Sequence, residues 1–179
     1  MKNIYFGFIA FVLLALSSCS DPKDEYSYGT LIEYDWNAAA DSASNALINK
    51  FWNETGNYFN YGNDDKELTF HYWPNAHAMD VVIDAYLRTN DSKYSAYFDK
   101  WFAGVKIKNG NTYENAYVDD MEWNALTMIR LYNITKDQKY LDAAQQLWGW
   151  IKDAWSEDVG GGIRWCTGSW VEFTKNACS

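Results

Sequence analysis

The sequence predicts an all-α fold built as a stack or ring of helical hairpins. Three observations predict it. Five segments carry apolar residues at the spacing of an amphipathic helix. A turn motif recurs at an offset of 46 residues, which is typical of a repeated hairpin. No stretch has the length and alternation expected of a long β-strand.

The first two predicted helices have recognisable starts. Asp35 can cap a helix that runs from Trp36 to about Asn53, because a carboxylate accepts bonds from free N–H groups at a helix start. We expect the second helix to open at Pro74, since proline suits a first turn. Their apolar positions are Ala39, Ala43, Leu47 and Phe51 in the first, and Ala78, Val81, Val82, Ala85 and Tyr86 in the second.

The other three predicted helices follow acidic residues. The third comes after Asp91 and Ser92, the fourth starts near Asp119, and the fifth follows Asp137. Their apolar positions are Tyr94, Tyr97, Phe98, Trp101, Phe102 and Val105, then Trp123, Leu126, Met128, Ile129 and Tyr132, then Tyr140, Leu141, Ala144, Leu147, Trp148, Ile151 and Trp155.

The repeated motif is T-x-D-x-K-Y, at residues 89–94 and 135–140. Each copy predicts a tight turn in which the aspartate caps the second helix. Short turns at one end of the hairpins leave the longer, aromatic-rich loops 54–73, 108–118 and 157–170 together at the other end. We expect the functional residues at that long-loop end.

The amino terminus predicts export. A positive start and an apolar run precede Leu16-Ser17-Ser18-Cys19, which resembles a bacterial lipobox. Residues 1–18 are therefore interpreted as a signal peptide, Cys19 as the lipidated residue, 19–33 as a flexible acidic tether, and 34–179 as the folded domain. We expect an exported lipoprotein at the outer membrane or cell surface that contacts the membrane only through its lipid. An ordinary secretory signal with a chance cysteine is the alternative.

Charge and cysteine content limit the partners. The formal net charge is −9 and becomes −10 without residues 1–18, so nucleic acid is a poor partner. Cys166 and Cys178 could form a disulfide or remain buried thiols. No Cys/His cluster has zinc-binding spacing, and we expect no metal or other cofactor.

Aromatic residues are unusually frequent, with 33 Trp, Tyr and Phe among 179 residues. Most must fill helical cores. Rings in loops can instead stack on the C–H faces of sugars, and this surplus favours a carbohydrate ligand. The loop rings are Tyr58, Phe59, Tyr61, Tyr72, Trp73, Tyr113, Tyr117, Trp165 and Trp170.

Asp119 and Asp120 form an acidic pair at the predicted start of the fourth helix. Acidic residues are common there as caps, which is the structural alternative. Partial burial beside a like charge would instead split the titration of the pair, as a glycosidase requires. Adjacent α-carbons are about 3.8 Å apart, which favours the ~5–5.5 Å carboxyl separation of retaining enzymes.

Three motifs resemble glycoside hydrolase family 76. They are Ala116-Tyr117-Val118-Asp119-Asp120-Met121-Glu122-Trp123, Tyr72-Trp73-Pro74-Asn75-Ala76-His77-Ala78 and Gly160-Gly161-Gly162-Ile163-Arg164-Trp165. The resemblance implies an (α/α)6 barrel and a retaining endo-α-1,6-mannanase that binds α-mannan or mannooligosaccharides. It also implies that Asp119 is the nucleophile and Asp120 the general acid/base.

The candidate sugar contacts are Trp73, Asn75, Trp123, Arg164 and Trp165. We interpret His71 as a loop residue and His77 as structural. Six hairpins at this period need more residues than the chain has, so we expect an incomplete barrel, about half the ring, with exposed apolar helix faces. The sequence leaves open whether the chain is active by itself. The alternatives are a non-catalytic glycan-binding surface lipoprotein and an (α/α)6 glycosidase for a different sugar.

Overall fold

The computed structural model describes residues 34–64, 66–157 and 160–168. The predicted signal peptide, Cys19, the tether up to residue 33, and Cys178 lie outside the described residues.

Helices dominate the described residues, which confirms the all-α prediction. The strands there are only two residues long. Trp52–Asn53 pairs antiparallel with Tyr58–Phe59, and Trp155–Ser156 pairs antiparallel with Gly162–Ile163. The helices are α1 Trp36–Phe51, α2 Tyr72–Thr89, α3 Ser92–Ser95, α4 Phe98–Lys108, α5 Val118–Thr135 and α6 Gln138–Asp153, and the strands are β1 Trp52–Asn53, β2 Tyr58–Phe59, β3 Trp155–Ser156 and β4 Gly162–Ile163.

Two predicted boundaries differ from the structure. Helix α2 begins at Tyr72, so Pro74 is its third residue rather than its first. The first four N–H groups of a helix have no partner within it, and proline is therefore tolerated there. The helix predicted after Asp91 is divided into α3 and α4, because a tight bond from Tyr97 N to Tyr94 O, 3.1 Å long, ends the first segment.

The two copies of the turn motif make the same capping bonds. The Asp91 side chain accepts from Lys93 N at 2.9 Å, and the Asp137 side chain accepts from Lys139 N at 3.1 Å. The predicted caps of α3 and α6 are thereby confirmed.

Each turn also has one left-handed residue at the end of the preceding helix. Asn90 has φ 53° and Lys136 has φ 60°. Their N–H groups donate to Tyr86 O and Tyr132 O, which are the two tyrosines matched by the 46-residue offset. A lysine in this conformation is uncommon, so the shared bonds determine the turn more strongly than the residue type does.

Helices α2 and α5 lie side by side and run in the same direction. Thr127 Oγ1 donates to Asp80 Oδ1 at 3.2 Å, and Arg130 forms ion pairs with Asp80, at 2.7 Å, and with Asp84. Asn124, one turn nearer the start of α5, reaches the backbone oxygen of Tyr72 at the start of α2. Both helices therefore begin at the long-loop end.

The hydrophobic core lies where α2 and α5 pack with α4 and α6. Trp101 of α4 is fully buried, and its ring N–H donates to Asn75 O at 3.1 Å. The other large side chains with almost no exposure are Tyr94, Tyr140, Met79, Ile83, Met121, Met128, Leu131 and Leu147.

Apolar side chains are exposed along the outer side of α5 and α6, as expected. Leu126 is 52% exposed and Trp148 54% exposed. With Ile129 and Ala144 they border a groove of about 340 Å³. Within the described part of the chain, no helix combines the length and the apolar character that a membrane crossing requires.

Candidate active site

Backbone hydrogen bonds join the long loops around the start of α5. Val118 N, in the first residue of α5, donates to Trp165 O at 2.8 Å. Thr167 N donates to Ala116 O at 2.8 Å, beside a β-bridge between Tyr117 and Cys166. The loop after α6 is thus held against the loop before α5, as the hairpin register predicts.

An open cleft of about 610 Å³ lies at this end of the molecule. It brings together residues from the start of α2, the start of α5 and the loop after α6. The lining residues are His71, Trp73, His77, Tyr117, Asp119, Asp120, Trp123 and Trp165. The acidic pair and three of the predicted sugar contacts therefore share one cleft.

The acidic pair does not cap the helix. Tyr117 occupies the N-cap position and makes no side-chain capping bond, and Asp119 and Asp120 fall inside the first turn. The Asp119 Oδ1 atom is buried and has no hydrogen-bond partner among the described residues. A buried carboxylate oxygen without a protein partner is rare, and a bound water or a catalytic role is the usual explanation.

The two carboxyl groups have different environments. Burial raises the pKa of Asp120 to about 6, and the negative charge of Asp119 adds to the increase. Desolvation and a like charge both disfavour the ionised form. Asp120 is therefore suited to carry a proton near neutral pH, which a general acid must do.

Asn124 holds the start of α5 against the start of α2. It is fully buried, and its Nδ2 donates to Asp120 O at 2.9 Å and to Tyr72 O at 3.4 Å. The Tyr72 hydroxyl in turn donates to Tyr113 O at 2.7 Å. Burial raises the pKa of Tyr72, so its phenol stays protonated as a donor. The backbone that carries the acidic pair is thus fixed by buried polar contacts.

Aromatic rings form the walls around the carboxylates. Trp73 is 46% exposed and Trp123 42% exposed. The His77 ring lies between them, 5.6 Å from the Trp73 ring and 4.7 Å from the Trp123 ring, centroid to centroid. Trp165 packs against Tyr117 at 5.4 Å. Exposed rings held by neighbouring rings provide rigid apolar surfaces.

Three lining residues were not among the predicted site residues. They are His71, His77 and Tyr117. His77 follows Trp73 by four residues, so it shares a helix face with that ring, and this spacing was the available signal. Tyr117 directly precedes the first turn of α5, and His71 directly precedes α2.

The prediction that Asn75 contacts a sugar hydroxyl is corrected by the structure. Asn75 is buried, at 1% exposure. Its Oδ1 accepts from Phe59 N at 2.7 Å, and its Nδ2 donates to Phe59 O at 3.0 Å and to His71 O at 2.8 Å. The Asn75 amide group therefore holds the loop before α2 in place. Its side chain has almost no exposed surface that could contact a ligand.

Arg164 is not part of the cleft lining. Its guanidinium donates to Ser156 Oγ at 3.2 Å, and its backbone N donates to Ala154 O at 3.0 Å. Its contact with a sugar stays a prediction. Across the described residues, no group of three or more His, Cys, Asp or Glu side chains is arranged to hold a metal ion.

Residues 35–179 match the family model described as glycosyl hydrolase family 76. The chain belongs to glycosyl hydrolase family 76. A comparison with curated proteins found no match.

Several solved structures resemble the chain. One is an α-1,6-mannanase from Salegentibacter sp. HEL1_6, which matches 75% of this chain with 37% identity and a TM-score of 0.71. That structure is of an inactive variant, in which two adjacent aspartates are replaced by alanine, in complex with α-1,6-mannotetrose. A protein from Listeria innocua has 32% identity and TM-score 0.66 over 74% of it. A family 76 mannosidase from Bacteroides thetaiotaomicron, at 22% identity and TM-score 0.60 over 72% of it, shares the fold.

The chain spans about two-fifths of the length of these structures, covering 39% of the Salegentibacter chain and 40% of each of the other two. This partial coverage agrees with the expectation of part of an all-α barrel.

Proposed function

We propose that Asp119 and Asp120 form the catalytic centre of a retaining glycoside hydrolase that cleaves α-1,6-mannosidic bonds in α-mannan. The observation that carries the proposal is the placement of two adjacent carboxyl groups in one aromatic cleft, with the pKa of Asp120 raised to about 6. One carboxyl can then be protonated while the other is ionised.

The related Salegentibacter enzyme supports the assignment. A variant in which two adjacent aspartates are replaced by alanine is inactive and binds α-1,6-mannotetrose. The variant with asparagine at both positions is also inactive and binds α-1,6-mannotriose. We infer that this pair corresponds to Asp119 and Asp120, the adjacent aspartates that line the cleft of this chain.

In the first step, Asp120 donates its proton to the glycosidic oxygen. A carboxylate oxygen of Asp119 bonds to the anomeric carbon as the bond from that carbon to the leaving oxygen breaks. The leaving sugar departs with a new hydroxyl group. The enzyme then holds the remaining sugar as an ester on Asp119, and Asp120 is a carboxylate.

In the second step, the Asp120 carboxylate takes a proton from water as the water oxygen bonds to the anomeric carbon. The ester bond to Asp119 breaks, which regenerates its carboxylate and leaves Asp120 protonated. Two successive displacements at the same carbon retain the α configuration. Trp73, Trp123 and Trp165 supply stacking surfaces for the sugars in this scheme.

The first experiment tests the pair itself. The purified chain, and for preference a longer version that completes the barrel, are incubated with linear α-1,6-mannan, and released mannooligosaccharides are measured. We expect release by the completed wild-type protein and none by its Asp119→Asn or Asp120→Asn variants, each checked for an unchanged circular dichroism spectrum. Full activity in both variants would refute the assignment.

The second experiment separates the two roles. An aryl α-1,6-mannobioside has a good leaving group that needs no proton, so Asp120→Ala should still form the glycosyl ester. Added azide should then give the α-mannosyl azide. Asp119→Ala forms no ester, and azide attack there should give the β-mannosyl azide. If the two variants exchange these products, Asp120 is the nucleophile.

Two alternatives correspond to distinct outcomes. Mannan binding without turnover, unaffected by the aspartate substitutions and lost in Trp73→Ala, would favour a non-catalytic glycan-binding lipoprotein. Release of sugars from a different polymer in a substrate panel would favour an (α/α)6 glycosidase of another specificity.

We further propose that the protein is exported and anchored to the outer membrane or cell surface through a lipid on Cys19. The sequence Leu16-Ser17-Ser18-Cys19 after an apolar run supports this. A surface anchor would place the cleft where a polymer too large to enter the cell is accessible.

A further inference from the structure

The loop between β2 and α2 forms a small hairpin next to the catalytic cleft. Asn60 and Phe70 pair in an antiparallel bridge. Beyond it, Tyr61 N donates to Thr69 O at 2.7 Å, and Gly62 N donates to Glu67 O at 2.9 Å. The backbone of Tyr61 is therefore held in position by its neighbours on both sides.

The Tyr61 side chain is fixed against a residue of the cleft wall. Its ring packs on the imidazole of His71, with centroids 4.3 Å apart and planes inclined by 36°. His71 itself lines the cleft with Asp119 and Asp120. Although one side of its ring contacts His71, Tyr61 is 52% exposed. An ordered, exposed ring of this kind can receive a ligand without a large loss of side-chain entropy.

A second groove adjoins the catalytic cleft beside this ring. It has a volume of about 310 Å³ and is lined by Tyr61 and Asn60 together with apolar residues of α1 and α2. His77 lines both the groove and the cleft, so the two concavities meet at its ring. Aromatic side chains therefore line the surface from the acidic pair to Tyr61.

The groove is mostly apolar, and apart from His77 its polar side-chain groups are those of Asn60 and Tyr61. Ring faces pack against the C–H faces of a pyranose, while polar groups beside them bind its hydroxyls. Asn60 lies next to Tyr61 in the chain, with its Oδ1 accepting from Asn53 Nδ2 at 3.3 Å, and Tyr61 carries its own hydroxyl group. Neutral polar groups at the rim fit an uncharged polymer.

We propose that Tyr61 is the stacking platform of a distal subsite, which binds a mannosyl residue of the polymer several units from the bond that is cleaved. The proposal rests on the proposed function, since it names where a longer substrate continues beyond the cleft. The hairpin around Tyr61 then recognises the length of the mannan substrate.

The test measures binding of α-1,6-mannooligosaccharides of two to six units by calorimetry. The full chain carries Asp119→Asn and Asp120→Asn to prevent turnover. We expect affinity to rise with length, and Tyr61→Ala to lower the affinity for the longest ligands roughly three- to tenfold while that for the disaccharide stays unchanged. Tyr61→Phe keeps the ring and should retain most of the affinity.

Leu68→Ala is the matched control, because Leu68 is an exposed apolar residue of the same hairpin that lines neither the cleft nor the groove. It should leave binding of all ligands unchanged. Equal affinities in Tyr61→Ala and the parent for every length, or an equal loss for short and long ligands, would overturn the subsite. A parent chain that binds no mannooligosaccharide would overturn the proposed function, which is a different result.

Discussion

Gly104 of α4 lies directly against the backbone of Asn57 in the loop after β1. A β-carbon at Gly104 would stand 2.0 Å from the Asn57 carbonyl oxygen and 2.7 Å from that of Gly56. Only glycine, which has no β-carbon, allows the two backbone segments to lie this close together. The contact holds the loop between β1 and β2 against the packed core.

Gly104→Ala should therefore destabilise the protein. The added methyl group must displace backbone atoms, and overpacking of this kind costs about 1–3 kcal/mol. Gly149→Ala in α6 is the matched control, because a β-carbon there meets no atom within 4 Å. It should increase stability by roughly 0.5–1 kcal/mol, the usual gain for alanine in a helix. Urea unfolding measures both, and equal changes would contradict the close approach.

The proposed role of Asp120 predicts a pH dependence of catalysis. Asp120 must be protonated in the first step, and its pKa is raised to about 6. We expect kcat/KM on α-1,6-mannan to fall as the pH rises through about 6. With an aryl mannobioside, Asp120→Ala should show no such alkaline decrease in ester formation.

The raised pKa of Asp120 also predicts that the free energy of unfolding depends on pH. The folded-state pKa of Asp120 is about 6, and an unfolded aspartate has a pKa of about 3.9. The folded protein therefore binds more protons between these values. The stability contributed by protonated Asp120 is fully present below about pH 4 and is lost as the pH rises through about 6. Unfolding free energies of the wild type and Asp120→Asn across this range measure the difference, which should be largest near pH 4 and decline towards pH 7.

Asn75 should be required for folding of the site loop rather than for sugar contact. Asn75→Ala removes three hydrogen bonds to Phe59 and His71. Each buried backbone group left without a partner costs about 1–3 kcal/mol. Urea unfolding should show a clear decrease for this variant and almost none for Asn133→Ala, an exposed position on α5. A fully stable Asn75→Ala with weakened mannooligosaccharide binding would contradict this and restore the original prediction.

The groove between α5 and α6 should cause self-association of the isolated chain. Exposed apolar patches favour association in water, and Leu126 and Ile129 border this groove. Leu126→Gln with Ile129→Gln should lower the weight-average mass in sedimentation experiments. Leu87→Gln is the control, because Leu87 is at least as exposed but lies outside the groove. A monomeric wild-type chain with a cooperative thermal melt would contradict this prediction.

The proposed lipidation of Cys19 predicts membrane association in a bacterial host. Labelled palmitate should be incorporated into the wild-type protein, which should sediment with membranes. Cys19→Ala should incorporate no label and appear in the soluble exported fraction. Labelling that persists in Cys19→Ala would exclude this residue as the anchor.

Several features of the fold and of the site could be predicted because they depend on the order of nearby residues. The turns at Asp91 and Asp137 were predicted correctly, since a carboxylate followed two residues later by a backbone N–H is a short-range arrangement. The acidic pair was placed at the long-loop end by the hairpin register, and the structure locates it in the cleft there.

Other features depended on contacts between distant segments. Asn75 was predicted as a sugar contact from its motif, yet its amide binds Phe59, sixteen residues earlier in the chain. His71 and His77 are part of the cleft because α2 packs beside α5. That both residues are histidines did not show whether they line the cleft or have a structural role.

By itself, the sequence determined the helical hairpins, their capped turns and the adjacency of Asp119 and Asp120, because each follows from residues within a few positions of one another. Only the tertiary structure shows the environment of the pair, which supports the role of acid that the family resemblance implies for Asp120. Burial of Asp120 beside the charge of Asp119 raises the Asp120 pKa, and burial arises from the packing of α2, α5 and the loop after α6 together.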